Sequence, residues 1–137
     1  MAIDYGIKRT GIAVTDPLKI IATGLTTIHS NELIAFLKKY QQSESIERFI
    51  IGLPKNWDES DTHGTLPAKK AIEKIRSEFP LIPVTEVDER FTSKMARDAM
   101  IEMNLKKKLR RDKKLVDEIA ATIILQEYMN TQTLPPY

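Results

Sequence analysis

Cysteine is absent from the 137 residues, which excludes disulfide staples, thiolate metal sites and cysteine nucleophiles and suits a reducing compartment. No apolar run approaches the roughly 20 residues a membrane helix needs, and an acid at position 4 spoils a signal-peptide reading, so the expected location is the cytoplasm, with no membrane partner. Internal repeats and low-complexity linkers are also lacking. With 42% hydrophobic and 29% charged residues, the chain has the make-up of one folded domain that can bury a core unaided. That domain is expected over 1–130, with a frayed tail at 131–137.

Net charge is small, +2, but it is unevenly placed. Lys106, Lys107, Lys108, Arg110, Arg111, Lys113 and Lys114 crowd into nine residues with one acid, Asp112; outside that stretch 14 basic and 18 acidic residues remain, a net of −4. A mildly acidic body thus carries one cationic segment. Blocks of like charge repel and stay solvated, and a polyanion that pairs with them releases counterions, so nucleic acid is the partner class this segment suits. A solvated loop without a partner is the plainer reading.

The first thirty residues read as a three-strand meander: an apolar run into Asp4, a second through Ile12 to Val14, and a third over 20–28, with short connectors that favour antiparallel neighbours. A helix is expected over 31–42, capped by Ser30 or Asn31, then a buried strand over 48–53. A polar loop follows over 55–64, a helix over 67–79, a strand over 84–88 and a helix from Thr92 or Ser93 to about Met103. The closing helix, over 114–130, presents Ile119, Ala120, Ile123, Ile124 and Tyr128. This order implies an α/β fold built on one mixed five-stranded sheet, antiparallel strands on one side and parallel strands on the other, with helices on both faces. Sites in such sheets gather at the carboxyl ends of the parallel strands.

Acids lie at those ends. Asp4 sits in an apolar strand, where an unpaired charge is costly; Glu86, Asp88 and Glu89 cluster at the end of a later strand; Asp117 opens the last helix. Two carboxylates about 4 Å apart repel by roughly 4 kcal/mol at an effective dielectric of about 20. Either a proton or a hard divalent cation must offset that, unless each acid merely caps a helix, forms a turn or faces water.

Four ordered blocks carry a resemblance. Asp4-Tyr5-Gly6-Ile7-Lys8-Arg9-Thr10-Gly11-Ile12-Ala13-Val14-Thr15-Asp16; Gly52-Leu53-Pro54 with Asn56 and Asp58; Val87-Asp88-Glu89-Arg90-Phe91-Thr92-Ser93; and Asp117-Glu118-Ile119-Ala120-Ala121 with Ile124-Leu125-Gln126 together resemble the YqgF family, also described as RuvX-type Holliday junction resolvases. The resemblance implies an RNase H-like fold and a nuclease of the two-metal type, using Mg2+ or Mn2+ on branched DNA or on the 5′ end of precursor 16S ribosomal RNA. It places the family's acids on Asp4, Glu89 and Asp117 as catalytic metal ligands; of these, Asp4 is expected to bridge, because it is central to the sheet.

Under that reading Lys8, Arg9 and Arg90 would receive phosphates near the metals, and Lys107, Lys108, Arg110 and Arg111 would clamp the nucleic acid. The plain alternative is that Lys8, Arg9 and Arg90 balance neighbouring carboxylates. No histidine is required; His29 and His63 fall at a strand end and in a polar loop. Junction resolution favours a homodimer with paired sites, whereas RNA trimming can proceed on a monomer. Two rival functions share parts of the pattern. An actin-like phosphotransferase also holds phosphate on an Asp-Gly hairpin, but it closes two such domains and this chain supplies one. A non-catalytic nucleic-acid or ribosome-associated module would keep the fold without the chemistry.

Overall fold

Central in the computed structural model is β1 (Ala2–Tyr5), flanked by an antiparallel ladder on one side and a parallel one on the other. The model describes residues 1–54, 63–88, 92–102 and 111–132. Beyond β1, β2 (Arg9–Thr15) and β3 (Ala22–His29) complete the meander, while β4 (Phe49–Leu53) and β5 (Val84–Asp88) add in parallel, so the sheet order is β3-β2-β1-β4-β5. The mixed five-stranded sheet expected from the chain order is therefore present. β4 is a continuous apolar run with its first four residues buried, as a strand covered on both faces should be, whereas β3 alternates as an edge strand.

Strand alternation separates two cores. Ile3, Ile12, Phe49 and Ile51 point to one face, covered by α1 (Leu33–Gln41) through Leu33 and Leu37 and by α2 (Thr65–Glu78) through Ile72 and Ile75. The rings of Phe49 and Phe79 meet there in a tilted pair with centroids 5.6 Å apart. Ala2, Ala13 and Ile50 point to the other face, where α4 (Lys113–Gln132) lays Ala121, Ile124, Leu125 and Met129. The helix α3 (Thr92–Glu102) packs on α4 in turn. Among the described residues no helix is long and apolar enough to cross a membrane.

Three local expectations are corrected. Ser30 does not cap the first helix: a 3-10 turn over Ser30–Glu32 leads into α1 without a side-chain cap, because the Ser30 hydroxyl is engaged elsewhere. The apolar stripe of α4 is rotated from Ile119 and Ile123, which are half-buried, to Ala121, Leu125 and Met129, which are buried. With the sheet on one side and α3 on another, α4 carries apolar residues around much of its circumference, and periodicity alone does not select the seam. The helix also runs on through Thr131 and Gln132, into the expected tail, whose residues 133–137 lie outside the described residues. So do residues 55–62 of the polar loop.

A one-residue irregularity in the β2–β3 ladder matters for the site. Ile12 pairs with Thr26 but Ala13 pairs with Gly24, leaving Leu25 as the extra residue. The slip brings Gly24 rather than Leu25 onto the face of α4, and a Cβ at Gly24 would stand 2.6 Å from Cγ and Oε1 of Glu118. Leu25 is turned toward solvent instead, 38% exposed.

Candidate nucleic-acid processing site

The turn joining β1 to β2 is held by its own backbone and by one serine. The Gly6 amide donates to the Arg9 carbonyl at 3.0 Å, and the Ser30 amide to the Lys8 carbonyl at 3.0 Å. Ser30 Oγ donates to the Gly6 carbonyl at 2.5 Å. Its single hydrogen is thus committed, so in the 2.8 Å contact between the buried Thr10 and Ser30 hydroxyls Thr10 is the donor. Ser30→Ala removes both bonds and leaves a buried hydroxyl and a carbonyl short of a partner. The expected cost is about 1–3 kcal/mol, read as a fall in Tm of roughly 3–10 °C; an unchanged melting curve would show that the hydroxyls do not brace the turn.

Asp4 lies one residue before the end of β1 and shares the α4 face with Ala2, since Ile3 and Tyr5 pack into the opposite core. Its ladder partner on β2 is Gly11. Gly11 is also where α4 touches down: a Cβ there would stand 2.1 Å from the Asp117 carbonyl oxygen. The strand and helix acids are therefore brought to one spot by a glycine that both adjoin.

The start of α4 is fixed from several directions. Asp112 caps it, its Oδ1 accepting from the amides of Lys114 and Leu115 at 3.0 and 3.3 Å, a favourable place for a carboxylate. Thr27 Oγ1 donates to the Lys114 carbonyl at 2.7 Å, tying the first turn to β3. Arg9, on the same face of β2 as Gly11, donates from Nε to Asp117 Oδ2 at 2.9 Å. The Asp117 side chain keeps 23% of its surface exposed. Burial pushes its carboxyl above the ordinary carboxylate range, and the hydrogen bond and charge of Arg9 pull the other way without cancelling that effect.

Of the expected site residues, Asp4, Arg9 and Asp117 come together, Lys8 is exposed on the hairpin, and Arg111 is exposed just before α4. Glu89, Arg90, Lys107, Lys108 and Arg110 lie outside the described residues. Arg9 meets a carboxylate, as the plainer reading of the hairpin cations expected. Asp4 and Asp117 are hard oxygen donors of the kind magnesium and manganese take, and they suit such an ion in chemistry; among the described residues no group of three or more His, Cys, Asp or Glu side chains gathers into a metal site. Sequence reading missed Ser30, Thr10 and Asp112. Asp112 alone carried a legible signal, an acid directly ahead of a helical pattern.

The open cleft of about 510 Å³ lies elsewhere, at the amino end of β1, lined by Thr15, Leu18, Ile50, Leu125 and Tyr128 among others. It holds none of the expected site residues. A site for an extended polymer has no need of a deep cavity.

Comparison with known proteins identifies the family. The family model described as "RuvX: Holliday junction resolvase" matches residues 1–131. A protein of Christiangramia forsetii named "Putative pre-16S rRNA nuclease" is 52% identical over 129 residues, 94% of this chain and 96% of that one. Proteins with the same name from Porphyromonas gingivalis and Bacteroides fragilis are 49% and 50% identical, covering 95% and 98% of this chain and 94% and 97% of theirs. With a family model that matches residues 1–131, and relatives at about half identity that cover nearly the whole of both chains, the chain belongs to the RuvX Holliday junction resolvase family.

Proposed function

We propose that this protein is a divalent-metal-dependent nuclease that hydrolyses phosphodiester bonds in structured nucleic acid, with Asp4, Glu89 and Asp117 as its acidic ligands. The observation that carries the reading is the convergence of Asp4, from the central strand, and Asp117, from α4, on the two sides of Gly11 at the carboxyl end of the parallel strands. Glu89 is the ligand that the family resemblance implies, and Asp88 stands in register with Leu53, which packs into the core on the side away from α4.

Asp4 is the rigid member, set in the middle of the sheet, and Asp117 is the member positioned by helix seating. Divalent ions held by these carboxylates would supply activation of a water and charge stabilisation at the leaving oxygen. The chain's own groups do the rest. The hairpin presents Lys8 and Arg9 beside Asp4, and the exposed Arg111, Lys113 and Lys114 bring the cationic segment to within one helical turn of Asp117, where phosphates would be drawn toward the acids. The names of the relatives favour the 5′ end of precursor 16S ribosomal RNA as the substrate; the family description favours the four-way DNA junction.

Cleavage assays on end-labelled precursor 16S ribosomal RNA and on a synthetic four-way junction, with Mg2+ or Mn2+ and with EDTA, test the proposal. Metal-dependent scission of either substrate is expected. Tight binding of both with no scission under any metal would leave a non-catalytic nucleic-acid module. Sedimentation of the same sample separates the two uses, since junction resolution requires a dimer with paired sites and end trimming does not.

A further inference from the structure

Arg9 and Asp117 are 108 residues apart in sequence and joined by one hydrogen bond, Nε to Oδ2, at 2.9 Å. Both side chains are partly covered, with 31% and 23% of their surfaces exposed, so the pair is stronger than a surface ion pair yet open to water and solutes. A guanidinium keeps its charge at any working pH. Asp117 therefore has a permanent cationic partner on Oδ2, and a divalent ion approaching the carboxylate competes with that charge. Two cations cannot share one carboxylate oxygen at close range without strong repulsion. An ion that takes Oδ2, or both oxygens, displaces the guanidinium, and one held by the other oxygen alone is still repelled by it across the carboxylate.

Where it can turn is set by its place in the fold. Arg9 is the first residue of β2, beside the exposed Lys8 on a hairpin braced by Ser30. A released guanidinium there faces the approach that phosphates would take to Asp4 and Asp117, and its planar fork matches a phosphate in a way an ammonium does not.

We infer that Arg9 is an exchangeable internal counter-ion: it neutralises Asp117 while the acids hold no metal and passes to a substrate phosphate when a divalent cation takes its place. The inference rests on the reading of Asp117 as a metal ligand. It makes cation and nucleic acid bind with positive coupling, because each frees the member of the Arg9–Asp117 pair that the other binds, and the coupling is reciprocal.

The test reads binding rather than turnover. Mn2+ is titrated calorimetrically into the protein without nucleic acid. Arg9→Gln is expected to bind Mn2+ about fivefold more tightly than wild type, the scale of one partly exposed charge pair; weaker binding would show that Arg9 orients Asp117 for the ion and would overturn the exchange. Asp117→Asn is expected to weaken Mn2+ binding; unchanged binding would mean that Asp117 is not a ligand, and the reading of the site falls together with this inference.

In EDTA, the affinity of a fluorescein-labelled RNA duplex and of a labelled four-way DNA junction is measured by anisotropy. Asp117→Asn, which frees Arg9, is expected to tighten binding of the preferred substrate by about fivefold, and most of that gain should vanish in Arg9→Gln/Asp117→Asn. An equal gain in both backgrounds would reduce the effect to removal of a negative charge and would overturn the proposal. Should Arg9→Gln fail to fold by circular dichroism, Arg9→Lys replaces it: a smaller tightening of Mn2+ binding is expected, and an affinity at or below that of wild type counts against the exchange.

Discussion

Asp4→Asn is expected to lower cleavage by at least about a thousandfold, the scale on which removal of one preorganised electrostatic group from an active site is felt, while affinity for nucleic acid persists. The substitution keeps the shape of the side chain and removes its charge. Asp4 sits on the central strand, its ladder partner Gly11 carries the backbone of Asp117, and nothing in the flanking pairs Ile3 to Ile12 and Tyr5 to Thr10 depends on a carboxylate. Mn2+ should raise the Tm of wild type, as any ligand specific to the folded state does, and should raise that of the variant far less. Full activity in Asp4→Asn would remove the central strand from the chemistry and with it the proposed site.

The parts of this arrangement legible in the sequence are those written in local pattern. The run Phe49-Ile50-Ile51 predicts a strand buried on both faces, and β4 is that strand. The acidic candidates were visible as well, but the spacing of the acids left five of them open; the family blocks singled out Asp4, Glu89 and Asp117. What stayed hidden depends on contacts between distant segments. Arg9 and Asp117 meet across 108 residues, and no periodicity in either segment announces the other. Ser30 follows a strand and precedes a helix, so a capping role is its natural reading; its hydroxyl turns back to Gly6, 24 residues earlier, because the edge of β3 ends beside the hairpin. Gly11 stands inside β2, and its meaning comes from a helix that begins 102 positions later at Lys113. The rotated stripe of α4 has the same origin: which of two apolar sides meets the sheet is decided by small residues such as Ala121 fitting against Ala2 and Ala13.

Gly11→Ala is the substitution expected to hurt the fold most for its size. In an ordinary strand, alanine in place of glycine is favourable by roughly 0.5–1 kcal/mol, since it removes backbone freedom from the unfolded chain. Here the new Cβ would lie 2.1 Å from the Asp117 carbonyl oxygen, 2.5 Å from its carbon and 3.1 Å from the Glu118 amide nitrogen. These are backbone atoms of a 20-residue helix, and they cannot swing aside as a side chain can. The helix must lift from β2, which strains the Thr27 to Lys114 bond, the Arg9 to Asp117 pair and the seating of Ala121. A loss of about 3 kcal/mol or more follows, at the upper end of overpacking costs, with Tm lower by roughly 10 °C. Gly24→Ala provides the contrast. The atoms nearest its Cβ would be Cγ, Oε1 and Cδ of Glu118, a flexible side chain that can turn away, so about 1 kcal/mol is expected there. At temperatures where Gly11→Ala is still folded, its Mn2+ affinity should also fall, because Asp117 has moved relative to Asp4, whereas Gly24→Ala should bind Mn2+ as wild type does. Equal stability losses in the two variants would mean that α4 does not rest on β2 through Gly11, and the shared location of the two acids would lose its structural basis.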